Sequence, residues 1–318
     1  MREKSQGNIL EPIFTVDRLC VDAEFKDGNT RIVKGLSFEI APGEQLAIVG
    51  ESGCGKTMTA MAIFGLLPPN CRATGSVILD GKNLLSLKEK QINTLRGREI
   101  VLIPQSGADF LNPAIKIREQ IYETLRKTGI KEKCELQTGA KNLLARVGFD
   151  NPEGILEKYP FQLSGGMAQR VVLAIGLAFS PRLVIADEPT RGIDDETAAL
   201  FIRQLGEMFR DSAIIVITHN ISVAGTCRNI LVMHTGEMME YGKADTVLNT
   251  PHHPYTRSLI DALPLNGFKV YAATDPERKI SKKGCPFFIR CPEGTEDCME
   301  GNLPAREDNG TTWRCVHA

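Results

Sequence analysis

An eight-residue run, Gly50-Glu51-Ser52-Gly53-Cys54-Gly55-Lys56-Thr57, lies directly after the apolar stretch QLAIV and opens the helical-looking segment KTMTAMAIFGLL. Glycines in such a run let successive backbone N–H groups turn inwards around an anion, and the helix start adds its positive end. In that setting Lys56 can reach the β- and γ-phosphates of a nucleotide, and the Thr57 hydroxyl can ligate Mg²⁺. The strand before and the helix after make this phosphate-binding reading far stronger than a chance glycine-rich turn.

Two further runs carry chemistry. Leu183-Val184-Ile185-Ala186-Asp187-Glu188 is an apolar strand ending in two acids. Asp187 suits a Mg²⁺ ligand, and Glu188 sits where a carboxylate polarises an attacking water. Alone, such a pair is equally well a solvated strand end. Upstream, Leu163-Ser164-Gly165-Gly166-Met167-Ala168-Gln169-Arg170 begins a helix, with Ser164 as its N-cap and with exposed backbone N–H groups at Gly165 and Gly166. This is a second anion-binding helix start in one chain. If the two cradles are far apart, one nucleotide uses both only when two subunits face each other.

The chain has nine cysteines, and four of them, Cys285, Cys291, Cys298 and Cys315, crowd near its end with the spacing C-x5-C-x6-C-x16-C. With no export signal evident in MREKSQGNILEP, a reducing compartment is expected, which favours a metal or cluster site over disulfides. Four thiolates hold zinc or an iron–sulfur cluster, and spacing alone names neither. Zinc is disfavoured because no close C-x2-4-C pair exists, and free structural thiols stay open.

The elements that must position these residues follow from periodicity. FTVDRLCVDAEF and RIVKGLSFEI alternate apolar and polar positions and are expected to be antiparallel strands. QLAIVG, IVLIPQ, LVIADE, AIIVITH and ILVMHTGEMMEYG are expected strands of an α/β sheet. Residues from about 111 to 181 show helical periodicity, as in REQIYETLRKTG, and read as a helical insertion. Beyond about Leu263 the pattern fades into a loop-like tail with few apolar residues in periodic order, which thiolate–metal bonds are expected to hold together.

Composition narrows the classes. The net charge of -1, with basic residues scattered, carries no nucleic-acid footprint. No segment approaches the roughly 20 apolar residues of a membrane-spanning helix.

Taken in order, the P-loop, Gln105 after IVLIP, LSGGMAQR, the IADEPT strand, Gly192-Ile193-Asp194 and His219 in VITHN resemble the ABC ATPase set. The resemblance covers residues 12 to about 263. It implies a P-loop ATPase domain of the ABC type, with a RecA-like parallel sheet core, an antiparallel β subdomain and a helical signature subdomain. It also implies that the signature of one subunit closes over ATP held by the other. By this resemblance Glu188 and His219 are catalytic, His219 sensing the γ-phosphate, while Gln105 meets Mg²⁺ and water and its loop meets membrane subunits. Phe25 is the candidate for stacking on adenine, with Phe14 the other aromatic nearby. One departure is Arg191-Gly192-Ile193-Asp194, where the family usually has threonine-alanine-leucine-aspartate.

The tail, preceded by TPHHPYTRSLIDALP, resembles the dipeptide, oligopeptide and nickel importer branch. That resemblance is looser between Leu265 and Gly284. It implies a [4Fe-4S] cluster on the four cysteines and a C-terminal region over 264–318. It also implies a second, often different, ATPase subunit, two permease subunits and an extracytoplasmic substrate-binding protein. The expected role is ATP hydrolysis that drives uptake of peptides or nickel complexes, at the cytoplasmic face of the membrane. The alternative is a soluble ABC ATPase acting on nucleic acid or ribosomes. It lacks support in the sequence, which has neither long coiled coils nor a second ATPase domain.

Overall fold

The structure is a computed structural model that describes residues 11–26, 28–105, 107–263, 266–267, 269, 284–300, 303 and 305–317. The start of the chain and most of the stretch where the importer resemblance loosens lie outside the described residues.

Two sheets organise the chain. The first is antiparallel and contains β1 (Phe14–Phe25), β2 (Gly28–Ile40), β4 (Cys71–Leu79) and β5 (Lys82–Asn83), in the order β2-β1-β4-β5. Its alternation is the one the sequence shows. Phe14, Val16, Leu19 and Val21 of β1 are buried, while residues between them face outwards.

The second sheet has eight strands. Five are parallel neighbours: β9 (Asn229–His234), β3 (Gln45–Val49), β8 (Ala213–Thr218), β7 (Leu183–Asp187) and β6 (Ile100–Ile103). Both faces are covered. Leu46 and Ile48 of β3 join one core with Ile215 and Ile217 of β8, whereas Ala47 and Val49 join a second with Ile214 and Val216. A strand buried on both faces loses the polar half of its alternation, which is why LAIV and AIIVI are continuous apolar runs.

Helices fill the two sides. On the face shared with the antiparallel sheet lie α1 (Lys56–Phe64) and α2 (Glu89–Leu95). On the other face stand α3 (Ile117–Lys127), α4 (Lys133–Arg146), α5 (Pro152–Leu156), α6 (Gly165–Leu177) and α7 (Asp195–Met208). The first four of these form the expected insertion between β6 and β7. In α3, Ile117, Ile121, Tyr122 and Leu125 make one buried stripe, and in α4 Leu136, Ala140, Leu143 and Leu144 make another. Short α8 (Ile221–Ala224) follows β8.

The C-terminal part departs from the loop-like tail that the sequence suggests. After β10 (Glu237–Lys243), α9 (Ala244–Asn249) and α10 (Pro254–Asp261) comes α11 (Asp297–Glu300). A hairpin of β11 (Arg306–Asp308) and β12 (Thr311–Trp313) then extends the main sheet, with Trp313 opposite Glu240. Phe287, Phe288 and Leu303 are buried in the same core as α3 to α7. The tail is therefore held by packing against the core of α3 to α7, which it joins instead of building a separate one.

Candidate functional site

The parallel strands deliver their carboxyl ends to one edge, where ligands bind in open α/β sheets. Val49 pairs with Thr218, Asp187 with Ile217, and Ile103 with Ala186. Gly50, His219, Glu188 and the segment reaching Gln105 therefore emerge side by side.

The loop after β3 wraps the amino end of α1. Gly50 has φ of 156°, and a side chain there would run into the Met233 carbonyl of β9, so only glycine lets the loop leave the strand. Lys56 is buried, and its ammonium donates to the carbonyls of Gly50 at 2.7 Å and Glu51 at 3.0 Å. Glu51, Ser52, Gly53 and Thr57 face solvent, and Gly55 is buried. The Cys54 thiol turns inwards, where burial raises it above its ordinary value, so Cys54 serves the loop through its backbone.

Asp187 ends β7 with its Oδ1 buried and without a hydrogen-bond partner. Burial raises its pKa, opposed by a hydrogen bond from Thr57, while the neighbouring Glu188 raises it further. A buried carboxylate oxygen left unpartnered beside a hydroxyl is a donor set suited to a hard divalent cation such as Mg²⁺. Glu188 holds a left-handed conformation, φ 48°, fixed by its N–H donating to the Ile217 carbonyl at 2.8 Å. Both of its carboxylate oxygens lie 2.9 Å from His219 Nδ1. Adjacent strands thus join two residues that the sequence offers 31 positions apart.

Gln105 is exposed at the end of its strand. At the start of α6, Ser164 accepts the Met167 N–H at 3.3 Å, as an N-cap does. Ser164, Gly165 and Gly166 are exposed, and nothing crowds either glycine. Gln169 is buried, and its amide donates to the Pro189 carbonyl, tying the signature helix to the segment after Glu188. Asp194 caps α7 by accepting the Thr197 N–H at 2.9 Å, which holds its carboxyl below the usual range. Phe14 is fully buried against Phe38, whereas Phe25 is 57% exposed at the end of β1, so of the two aromatics only Phe25 is free to stack.

The four C-terminal thiols also meet. Cys285, Cys291, Cys298 and Cys315 line one small cavity with His253, Phe288, Leu303, Val316 and His317. Burial pushes Cys285 up to about 12 and Cys291 up to about 11. Among the described residues, no group of three or more His, Cys, Asp or Glu side chains stands where it could hold a metal ion.

Three residues in the site escape sequence reasoning. Tyr255, fully buried, accepts the Glu51 N–H at 3.1 Å. Arg290 grips the Glu51 carboxylate through two bonds of 2.8 Å. His234 lies against Tyr255 and Phe287, with ring centroids 4.3 and 5.9 Å away. The HPYT segment was a visible signal for Tyr255: His253 caps α10 by accepting the Tyr255 N–H at 2.9 Å, and Pro254 occupies the first turn.

A parallel-sheet core, a phosphate loop and an acid–histidine pair at one edge define a P-loop ATPase. The chain belongs to the ABC transporter family, whose sequence model matches residues 33–191, and it is an ATP-hydrolysing member. A second model, the oligopeptide/dipeptide transporter C-terminal region, matches residues 239–298. The chain is 39% identical over 303 residues to the oligopeptide transport ATP-binding protein OppD of Salmonella typhimurium, covering 93% of this chain and 90% of that protein. It is 36% identical over 299 residues to the dipeptide transport ATP-binding protein DppD of Bacillus subtilis, covering 91% and 89%. Among solved structures it resembles the dimeric structure of MJ0796, a bacterial ABC transporter cassette, with a TM-score of 0.63 and 26% identity, covering 73% of this chain and 98% of that one. Among the described residues no helix is long and apolar enough to cross a membrane.

Proposed function

We propose that this chain energises a peptide importer, with Glu188 and His219 as its hydrolytic pair. The observation that carries the chemistry is the bond of His219 Nδ1 to both Glu188 oxygens, beside the unpartnered Asp187 Oδ1. The ATPase domain runs over 12–263 and the cysteine region over 264–318, whose described residues Phe287, Phe288 and Leu303 pack in the core of the former.

In this reading the loop Gly50–Thr57 cradles the phosphates and Lys56 leaves its carbonyl partners for them. Thr57, Asp187 and Gln105 hold Mg²⁺, which supplies charge neutralisation at the phosphates. Glu188 orients the attacking water and accepts its proton, while His219 steadies the γ-phosphate; the products are ADP and phosphate. Phe25 stacks on the adenine. The exposed Ser164, Gly165 and Gly166 of this chain close over the nucleotide held by a second, different ATPase subunit, whose own signature closes over the nucleotide held here, in keeping with the dimeric neighbour. Motion passes through the Gln105 loop to two permease subunits at the cytoplasmic face of the membrane, which receive substrate from an extracytoplasmic binding protein. Peptide, rather than nickel, is supported by the names of the relatives and of the matching C-terminal model.

ATP turnover by the assembled transporter tests this. Peptide-loaded binding protein is expected to stimulate turnover. Glu188→Gln should lower turnover of the nucleotide held by this chain's own P-loop by about 10² or more while ATP binding persists, since the amide keeps the shape and loses the basicity. Stimulation by a nickel complex alone would overturn the substrate class. Near-normal turnover of that same nucleotide by Glu188→Gln would overturn its role.

The cysteine cavity is part of the same proposal. The resemblance to the importer branch is what favours a [4Fe-4S] cluster, each iron taking one thiolate, over zinc, and the four thiols lining one cavity are compatible with it. When bound, the cluster cross-links Cys285, Cys291, Cys298 and Cys315. Protein purified without oxygen should be brown and contain iron and sulfide in stoichiometric amounts. Zinc without iron would reject the cluster.

A further inference from the structure

Glu51 is an odd residue for a phosphate cradle. It places a carboxylate beside a site that must receive a polyanion, and like charges a few ångströms apart repel. Its other atoms are committed to the loop: its N–H to Tyr255 and its carbonyl to Lys56. The carboxylate is met by one fork, the Arg290 guanidinium, with both bonds at 2.8 Å. That pairing, opposed by partial burial, holds the Glu51 carboxyl below its usual range, so it stays ionised. His234, 3.7 Å from the same carboxylate, is depressed to about 4 by burial and by Arg290, and is neutral at pH 7. Lys56 is required by the phosphates.

Arg290 is itself held in place. It ends the turn Phe288–Arg290 beside Cys291, donates its N–H to the Phe287 carbonyl at 3.0 Å, and lies over the Phe287 ring at 5.3 Å. Phe287 is buried against Tyr255 and His234. The same aromatic packing thus seats Arg290 and the Tyr255 hydroxyl that receives the Glu51 amide.

We propose that Arg290 is a positioning residue for the phosphate cradle. It cancels the charge of Glu51 and fixes that residue at the mouth of the P-loop, so the C-terminal region sets the ATP affinity of its own subunit. The inference rests on the ATPase reading of the loop. A planar fork does this better than a point charge, because it satisfies both oxygens and leaves neither free to face the phosphates.

The test is ATP binding by the full-length chain, titrated by tryptophan or nucleotide fluorescence. Arg290→Gln is expected to raise Kd about tenfold, and Arg290→Lys less. Adding Glu51→Gln to Arg290→Gln should recover Kd to within about threefold of wild type. The penalty of Arg290→Gln should shrink towards 1 M salt, where the Debye length is about 3 Å. A tail that merely unfolds is not rescued by Glu51→Gln, so the double variant separates charge cancellation from lost structure. Arg290→Gln within twofold of wild type, or a double variant as weak as the single, would overturn the proposal. Wild-type chain that fails to bind ATP would instead sink the ATPase reading on which it stands.

Discussion

His234 shows how one side chain is set by what surrounds it. It ends β9, wedged against Tyr255 and Phe287, with Arg290, Glu51 and Glu237 as its charged neighbours. Burial first, and Arg290 second, depress it to about 4, against which Glu51 pulls upwards. The folded value lies below the unfolded value of about 6.5, so the unfolded chain takes the proton first. Stability from this residue is complete above pH 6.5 and is lost as pH falls towards 4. One unit below 6.5 the loss is about 1.4 kcal/mol. Thermal melting of wild type against His234→Phe should therefore show a gap that shifts in favour of the variant between pH 7 and 5.5. A gap constant across that window would refute this account. None of this is legible in the sequence, where His234 is one histidine after an apolar run. The P-loop, by contrast, is legible because its chemistry is local: Gly50 to Thr57 are consecutive, and strand and helix flank them. Glu51 and Arg290 stand 239 positions apart, and no spacing rule joins them.

At the scale of elements, periodicity served where an element faces one solvent and one core. The β1 alternation and the α3 stripe are of that kind. It failed in the C-terminal region, where elements are too short to show a period: β11 and β12 have three residues each. The usable signal there was chemical. Asn309-Gly310 between them, with φ of 49° and 78°, is a two-residue hairpin turn of the kind that strand twist favours. That hairpin, with Trp313 opposite Glu240 and stacked on His252 at 3.9 Å, brings Cys315 towards the other three cysteines. Buried Glu240 in turn accepts the N–H groups of His252 and His253 at 2.9 and 3.0 Å. The HPYT segment is thus a structural joint between sheet, cysteine cavity and P-loop, a role invisible to a search for catalytic residues.

On the scale of the whole molecule, the chain carries two helix starts proposed to bind phosphate, and they differ in setting. One, at Lys56, is deep in its loop with Asp187 and Glu188 alongside. The other, at Ser164, opens on solvent with its hydroxyl spent on its own helix. If the nucleotide is shared between subunits, damage to the second start must appear on the partner's site and not on this subunit's own. Ser164→Arg puts a long cation over the exposed helix start without touching the P-loop. ATP binding by the isolated variant should stay within about twofold of wild type. In the assembled heterodimer, turnover at the nucleotide held by the partner's P-loop should fall by about 10² or more, as when a transition-state donor is removed. Turnover is measured with the other site silenced by Glu188→Gln in this chain, so that only the partner-held nucleotide is read. Loss of ATP binding by the isolated, folded variant would show that Ser164 acts within its own subunit. The trans arrangement would then have to be abandoned.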